Sequence, residues 1–263
     1  MSVTIRDLRA WKSEGRRFAM LTAYDYPTAR VLDEAGIPVL LVGDTLAEVV
    51  LGYDTTLPVT MDAMIHHCQA VSRGADHALV VGDLPFLSYQ ASLEDGIRNA
   101  GRFLKEGGAG AVKFEGALPE LAHTLSSRGI PVMGHLGLTP QSVHAMGGYR
   151  VQGRTEDAAI RLLDAAAEME DAGAFAIVLE GVPMELAGEI TQKLSIPTIG
   201  IGAGAACDGQ VLVVHDLLGL SERTPPKFVK RYANVREEML RAATEFRREV
   251  EEGIFPDEDH SYH

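Results

Sequence analysis

Cysteine is scarce in this chain. Only Cys68 and Cys207 occur, far apart in sequence, so neither a disulfide framework nor a Cys-x-x-Cys metal motif is available. Positive charge is also short: 24 Lys and Arg face 37 Asp and Glu, a formal net charge of −13. A field of that sign repels phosphate backbones, and no nucleic-acid partner is expected. No apolar run approaches the roughly 18 residues of a membrane span, so no membrane partner is expected either. The opening residues, MSVTIRDLRAWKSEGRRF, carry charges where a secretory signal needs an apolar stretch. These absences predict a reduced, cytoplasmic protein with both thiols buried as small apolar residues.

What the chain does have is a rhythm of short apolar runs. They are FAMLT (18–22), PVLLVG (38–43), HALVVGD (77–83), GAVKFE (110–115), PVMGH (131–135), FAIVLE (175–180), PTIGIG (197–202) and VLVVHD (211–216). Continuous runs without strict alternation suit parallel strands covered on both faces. Helix signals fill most gaps. Residues 92–106 open on Ser92 and stop at Gly107-Gly108, and residues 155–172 open on Thr155 with Glu156 and Asp157 in the first turn. Residues 183–193 and 225–250 start at prolines, which suit a first helical turn. The gap at 203–210 is too short for an ordinary crossover helix.

A closed (β/α)8 barrel and an open doubly wound sheet both fit this repeat. The length of 263 residues and the lack of a linker favour one TIM-barrel domain over 1–263. Residues 3–14 are expected as a helix across the barrel bottom. The stretch 249–263 carries six acids and no Lys or Arg, and reads as a solvated, frayed tail.

Chemistry in a parallel barrel belongs at the C-terminal strand ends. Those ends carry Tyr24-Asp25, Asp44-Thr45, Asp83, Lys113 with Glu115, His135, Glu180 and His215-Asp216. Any single Asp there can be a helix N-cap, and Asp25 and Asp216 are evenly balanced between that role and a site role. Lys113 and Glu115 are two apart on a strand and share a face, with Phe114 turned to the helices. Asp44, Asp83 and Glu115 come from consecutive strands and form a candidate hard-cation site, whose oxygen ligands suit Mg²⁺ better than zinc. His135 reads as a metal ligand, an acid/base or a packed histidine, the last two being favoured. Glu180 ends an apolar run, surroundings that favour proton transfer; a structural carboxylate is the plain alternative. Gly200-Ile-Gly202-Ala-Gly204 is a poor dinucleotide fingerprint, because no long helix follows it. The long loops 51–58 and 137–153 are candidate lids or oligomer contacts.

These strand ends resemble those of the ketopantoate hydroxymethyltransferase family along nearly the whole chain. The resemblance is carried by MLTAYDYPTA (20–29), LVGDTLAEVVLGYDTTLPVT (41–60), GDLPF (82–86), AVKFEG (111–116), GHLGLTPQSV (134–143), GGYRVQGR (147–154), LEGVP (179–183), IPTIGIGAG (196–204) and DGQVLVVHDLLGL (208–220). It implies a barrel of the phosphoenolpyruvate/pyruvate type. It also implies Mg²⁺-dependent transfer of a hydroxymethyl group from 5,10-methylenetetrahydrofolate to 3-methyl-2-oxobutanoate, on the way to pantothenate. Carried onto this sequence, Asp44 and Asp83 bind the metal with Glu115 near or on its shell. Asp44, Thr45, Asp83 and Lys113 contact the keto acid, and Glu180 accepts the proton. A homo-oligomer, commonly a decamer, is implied as well. The chain departs from the family at Thr45 and Glu48, where Gly-Asp-Ser and a neutral residue are usual, and at Ala117 after KFEG. An anionic folate tail would need a local basic patch, for which Arg150 and Arg154 are candidates. The rival readings are a keto-acid C–C lyase on the same barrel, which needs no folate, and a non-catalytic binding barrel; a nicotinamide dehydrogenase ranks last.

Overall fold

The computed structural model describes residues 2–221 and 225–262, which fall into two compact units divided after Val213. The first unit holds eight parallel strands: β1 (Phe18–Thr22), β2 (Val39–Val42), β3 (Leu79–Asp83), β4 (Ala111–Glu115), β5 (Val132–Gly137), β6 (Ala176–Glu180), β7 (Thr198–Ile201) and β8 (Gly209–Leu212). They pair in chain order, and β8 pairs back onto β1 to close the barrel. The closed alternative of the two expected folds is therefore the observed one. Around the strands lie α1 (Ile5–Ser13), α2 (Tyr26–Glu34), α3 (Leu46–Val49), α4 (Met61–Gly74), α5 (Leu93–Lys105), α6 (Pro119–Ser126), α7 (Val143–Met146), α8 (Glu156–Asp171) and α9 (Met184–Lys193).

Local signals explain the helix starts. Ser92, Thr155 and Thr60 accept hydrogen bonds from the amides of Asp95, Ala158 and Ala63, satisfying N–H groups that the first helical turn leaves unpaired. Asp25 does the same for Thr28 at 2.8 Å, so this strand-end aspartate is a helix cap. No helix forms between β7 and β8, as the short gap predicts.

Strand pleating turns every second residue inward. Phe18, Met20, Val39, Leu41, Leu79, Val81, Ala111, Met133, Val178, Ile199 and Val211 form one buried cluster, and Leu8 of α1 belongs to it. Trp11 of the same helix packs on Phe18 with ring centroids 5.9 Å apart. Helix α1 thus closes the N-terminal end of the barrel, as expected of residues 3–14. Both cysteines are buried and unpaired.

Two expectations shift. The run 211–216 does not stay in the sheet: β8 spans Gly209–Leu212, and His215 and Asp216 lie in α10 (Val214–Leu218), in the second unit. The helix expected from Pro225 begins only at Val235, as α11 (Val235–Glu251). Residues 225–234 hold only a turn and irregular backbone. Helix α11 also takes in the first three residues of the expected tail. The chain then turns back, with Phe255 5.5 Å from Phe246; His263, the last tail residue, lies outside the described residues. No helix among the described residues is long and apolar enough to cross a membrane.

Candidate active site

Inward residues at the C-terminal strand ends are polar where those below are apolar. Register places Asp83 beside Lys113 and Glu115 beside His135. Lys113 Nζ donates to both Asp83 oxygens, at 2.7 and 2.8 Å. Asp83 Oδ2 also accepts from the Asp44 amide at 3.2 Å. His135 lies between two carboxylates, with Nδ1 3.6 Å from Glu115 Oε1 and Nε2 3.3 Å from Glu180 Oε2. One cavity is lined by Asp44, Thr45, Asp83, Lys113, Glu115, His135 and Glu180 together. The residues that the sequence assigned to metal, keto acid and proton transfer therefore meet there, and all but Thr45 and Glu180 are buried. Asp25, His215, Asp216, Arg150 and Arg154 do not line the cavity.

The charges are not evenly matched. Burial opposes the Lys113 charge, but Asp83, Glu115 and Asp44 outweigh it and hold the ammonium above its usual range. Burial and Lys113 likewise oppose protonation of His135, yet Glu115 and Glu180 raise it to about 9. Glu115 shows the reverse balance: burial pushes its pKa up, and His135, Lys113 and the Gln141 amide hold it below the ordinary value. Burial also raises Asp83, with Lys113 opposing. Asp44 is raised well above the carboxylate range, by burial first and then by Asp83 and Glu115. Among the described residues its side chain takes a hydrogen bond only from the neutral Gln141 Nε2, at 3.0 Å.

That imbalance bears on a metal. No group of three or more His, Cys, Asp and Glu among the described residues is arranged as a ready metal cluster. Mg²⁺, however, is usually held by one or two carboxylates and completed by water and substrate oxygens. Asp44, buried and among the described residues bonded by no cation, with Asp83 next to it, is a donor set of that kind. Glu115 keeps one oxygen, Oε1, buried without a hydrogen bond.

The sequence profile of the ketopantoate hydroxymethyltransferase family matches residues 2–258. The chain belongs to this family. A relative from Syntrophus aciditrophicus, named 3-methyl-2-oxobutanoate hydroxymethyltransferase, is 57% identical over 99% of this chain and 96% of its own length. One of the same name from Carboxydothermus hydrogenoformans is 58% identical over 99% and 95%. Among solved structures, phosphoenolpyruvate phosphomutase from Streptomyces platensis subsp. rosaceus superposes with a TM-score of 0.63 at 13% identity, over 99% of this chain and 92% of that one. A 2,3-dimethylmalate lyase of the PEP mutase/isocitrate lyase superfamily gives 0.61 at 17% identity, over 99% and 90%. At such low identity these structures speak for the fold alone, the barrel type that the family resemblance implies.

Against the family pattern, Thr45 lines the cavity and makes no capping hydrogen bond to α3, and Glu48 lies on α3 itself. The loop after β5 is tied beside Glu180 through the Gln152 amide, which donates to Gly181 O at 2.9 Å. Gly153 of that loop has φ +77°, and a Cβ there would lie 2.6 Å from Leu186 Cδ2, so the close approach needs glycine. Arg150 and Arg154 flank this tie, and both are exposed. Two site residues were not singled out from the sequence, although Gln141 lies within the family segment GHLGLTPQSV (134–143). Gln141, buried in a 3-10 turn at Pro140–Ser142, bonds Asp44 and Glu115. Tyr89, in the loop after β3, donates its hydroxyl to Gln141 Oε1 at 2.7 Å. Only the fold-back of the two loops brings them to the site.

Proposed function

We propose that this chain transfers a hydroxymethyl group from 5,10-methylenetetrahydrofolate to 3-methyl-2-oxobutanoate. The product is 2-dehydropantoate, for pantothenate and coenzyme A biosynthesis in the cytoplasm, with Mg²⁺ as cofactor. The observation that carries the reading is the convergence of Asp44, Asp83, Lys113, His135 and Glu180 on one cavity, in a chain more than half identical to proteins named for that reaction.

The keto acid has one acidic C–H, beside its carbonyl. Glu180 accepts that proton, a role worth roughly 10²- to 10⁴-fold in rate. Its carboxylate is held in place by the protonated His135, 3.3 Å away. Lys113, fixed by Asp83, sets a positive charge where the enolate oxygen develops negative charge. A divalent cation held by Asp44 and Asp83, with Glu115 beside them, would supply Lewis-acid stabilisation to the same oxygens. One of the two C–N bonds of the methylene bridge opens, its nitrogen taking a proton, and the enolate carbon attacks the carbon so activated. Water then replaces the second folate nitrogen on that carbon, that nitrogen leaving with a proton, which gives the hydroxymethyl group and tetrahydrofolate.

A homo-oligomer, a decamer by family resemblance, is part of the proposal. In its support, no residue of the 17-residue α11 is buried, and Met239, Leu240 and Phe246 on it are exposed. The proton step has a direct test. Glu180→Gln should stop exchange of the C3 proton of 3-methyl-2-oxobutanoate with solvent deuterium while Mg²⁺ binding persists. Exchange at the wild-type rate removes Glu180 as the base.

A further inference from the structure

Gln141 makes a full set of hydrogen bonds inside the protein. Its Nε2 donates to Asp44 Oδ2 at 3.0 Å and to Leu84 O at 2.9 Å. Its Oε1 accepts from Tyr89 Oη at 2.7 Å and from Gln90 Nε2 at 3.1 Å. A carboxamide has two donor hydrogens and two acceptor lone pairs, so nothing is left over. The orientation is also forced. Leu84 O is a carbonyl and can only accept, so the nitrogen must face it, and the second hydrogen of that nitrogen points to Asp44. The Gln141 backbone contributes too: residue 140 is proline, with no N–H, and the next amide, that of Gln141, donates to Glu115 Oε2 at 2.9 Å. One residue of the β5 loop therefore grips groups at the ends of β2, β3 and β4.

We infer that Gln141 is the positioning residue for Asp44, and that docking of the β5 loop through it assembles the ligand-binding carboxylates. The inference rests on the reaction proposed above. With Oδ2 held by Gln141, Asp44 presents Oδ1 as the oxygen to which, among the described residues, no hydrogen bond is made. The Asp44 side chain cannot rotate to offer both oxygens without breaking that bond, so cation and keto acid meet one carboxylate in one setting. Gln141 touches neither reacting carbon nor proton; it acts through Asp44.

Three variants separate positioning from bulk stability. Gln141→Met keeps the volume and the backbone N–H but removes every side-chain hydrogen bond. Gln141→Glu turns the donor into an acceptor facing Asp44 Oδ2 and Leu84 O. Tyr89→Phe removes one partner and leaves the Gln141 amide on Asp44. Mg²⁺ alone, followed by 3-methyl-2-oxobutanoate with Mg²⁺, is titrated calorimetrically into each full chain, and C3 deuterium exchange gives KM and kcat. A hydrogen bond to a charged group corresponds to roughly a tenfold to hundredfold change in affinity. The expected order of weakening for Mg²⁺ and keto acid is Gln141→Glu, then Gln141→Met at about tenfold or more, then Tyr89→Phe. The loss should fall on KM and the dissociation constants more than on kcat, because Glu180 is untouched. A folded Gln141→Met or Gln141→Glu chain that binds both ligands as the wild type does overturns the inference, as does a loss confined to kcat. If the wild type exchanges no deuterium, the functional reading fails; the Mg²⁺ titration then still decides the role of Gln141, and a wild type that binds no Mg²⁺ defeats both.

Discussion

At the N-terminal end of the barrel, Lys12 Nζ is bonded to Asp208 Oδ2 and to Thr191 O, each at 2.8 Å, and Asp208 accepts in addition from the Thr198 amide. At the C-terminal end, among the described residues, both nitrogens of His135 and Oε1 of Glu115 are buried without a hydrogen bond, and no cation is bonded to Asp44. The same strands pass through both ends. Below, the Lys12–Asp208 pair is answered within the protein, and α1 seals the interior with Leu8 and Trp11. Above, polar side chains take the place of that apolar seal, and among the described residues they are answered only in part. A buried charge without a partner is costly, so the unmatched end is where a ligand of the right charge gains most. Stability and ligand binding are thereby assigned to opposite ends of one barrel, and substitutions at each end should separate the two.

The largest effect is expected at Asp83. Asp83→Ala strands the buried Lys113 charge, which costs about 3–5 kcal/mol of stability, and calorimetry should show weaker binding of both Mg²⁺ and keto acid. Retention of both affinities breaks the assignment of the upper end. Leu8→Ala tests the lower end: it should cost about 2–5 kcal/mol in denaturant unfolding and leave the deuterium exchange rate per folded molecule unchanged.

The pH dependence sharpens the comparison. His135 is raised from an ordinary 6.5 to about 9. Its charge therefore contributes stability that is fully present below about pH 6.5 and is lost as pH rises through about 9, a change on the order of 3 kcal/mol. The metal-free chain should unfold more easily at pH 9.5 than at pH 6.5, and His135→Gln should flatten that slope. An equal slope in the variant would move the effect to another group. The smallest effect has the opposite sign. Ionised Asp44 is disfavoured in the folded chain, so Asp44→Asn should raise the stability of the metal-free chain by up to about 1 kcal/mol while abolishing Mg²⁺ binding. Lost stability there would mean that Asp44 is satisfied within the protein after all.

Much of this division was legible in the sequence, because period two and strand-end polarity are local signals. The pairing of Lys113 with Glu115 on one face, the strand-end position of Asp44, Asp83 and Glu180, and the closing helix at 3–14 all follow from them. The end of the barrel was harder to read. β8 starts at Gly209 opposite Phe18, where a Cβ would sit 2.8 Å from the Phe18 ring. The glycine that this packing demands looks like a turn in sequence, and the following apolar run VLVVHD shifts the expected strand toward residues that are in fact helical. The contacts of Gln141 and Tyr89 were illegible for another reason. Their partners lie 97 and 52 residues away in the chain, and no periodicity encodes a contact made by two loops folding over a strand end.

The most direct test is a product assay with purified chain, 3-methyl-2-oxobutanoate and 5,10-methylenetetrahydrofolate, run with Mg²⁺ and after chelation. The account predicts 2-dehydropantoate only when the keto acid, the folate and Mg²⁺ are all present. No product under any condition, or keto acid consumed at the same rate without folate, would contradict it.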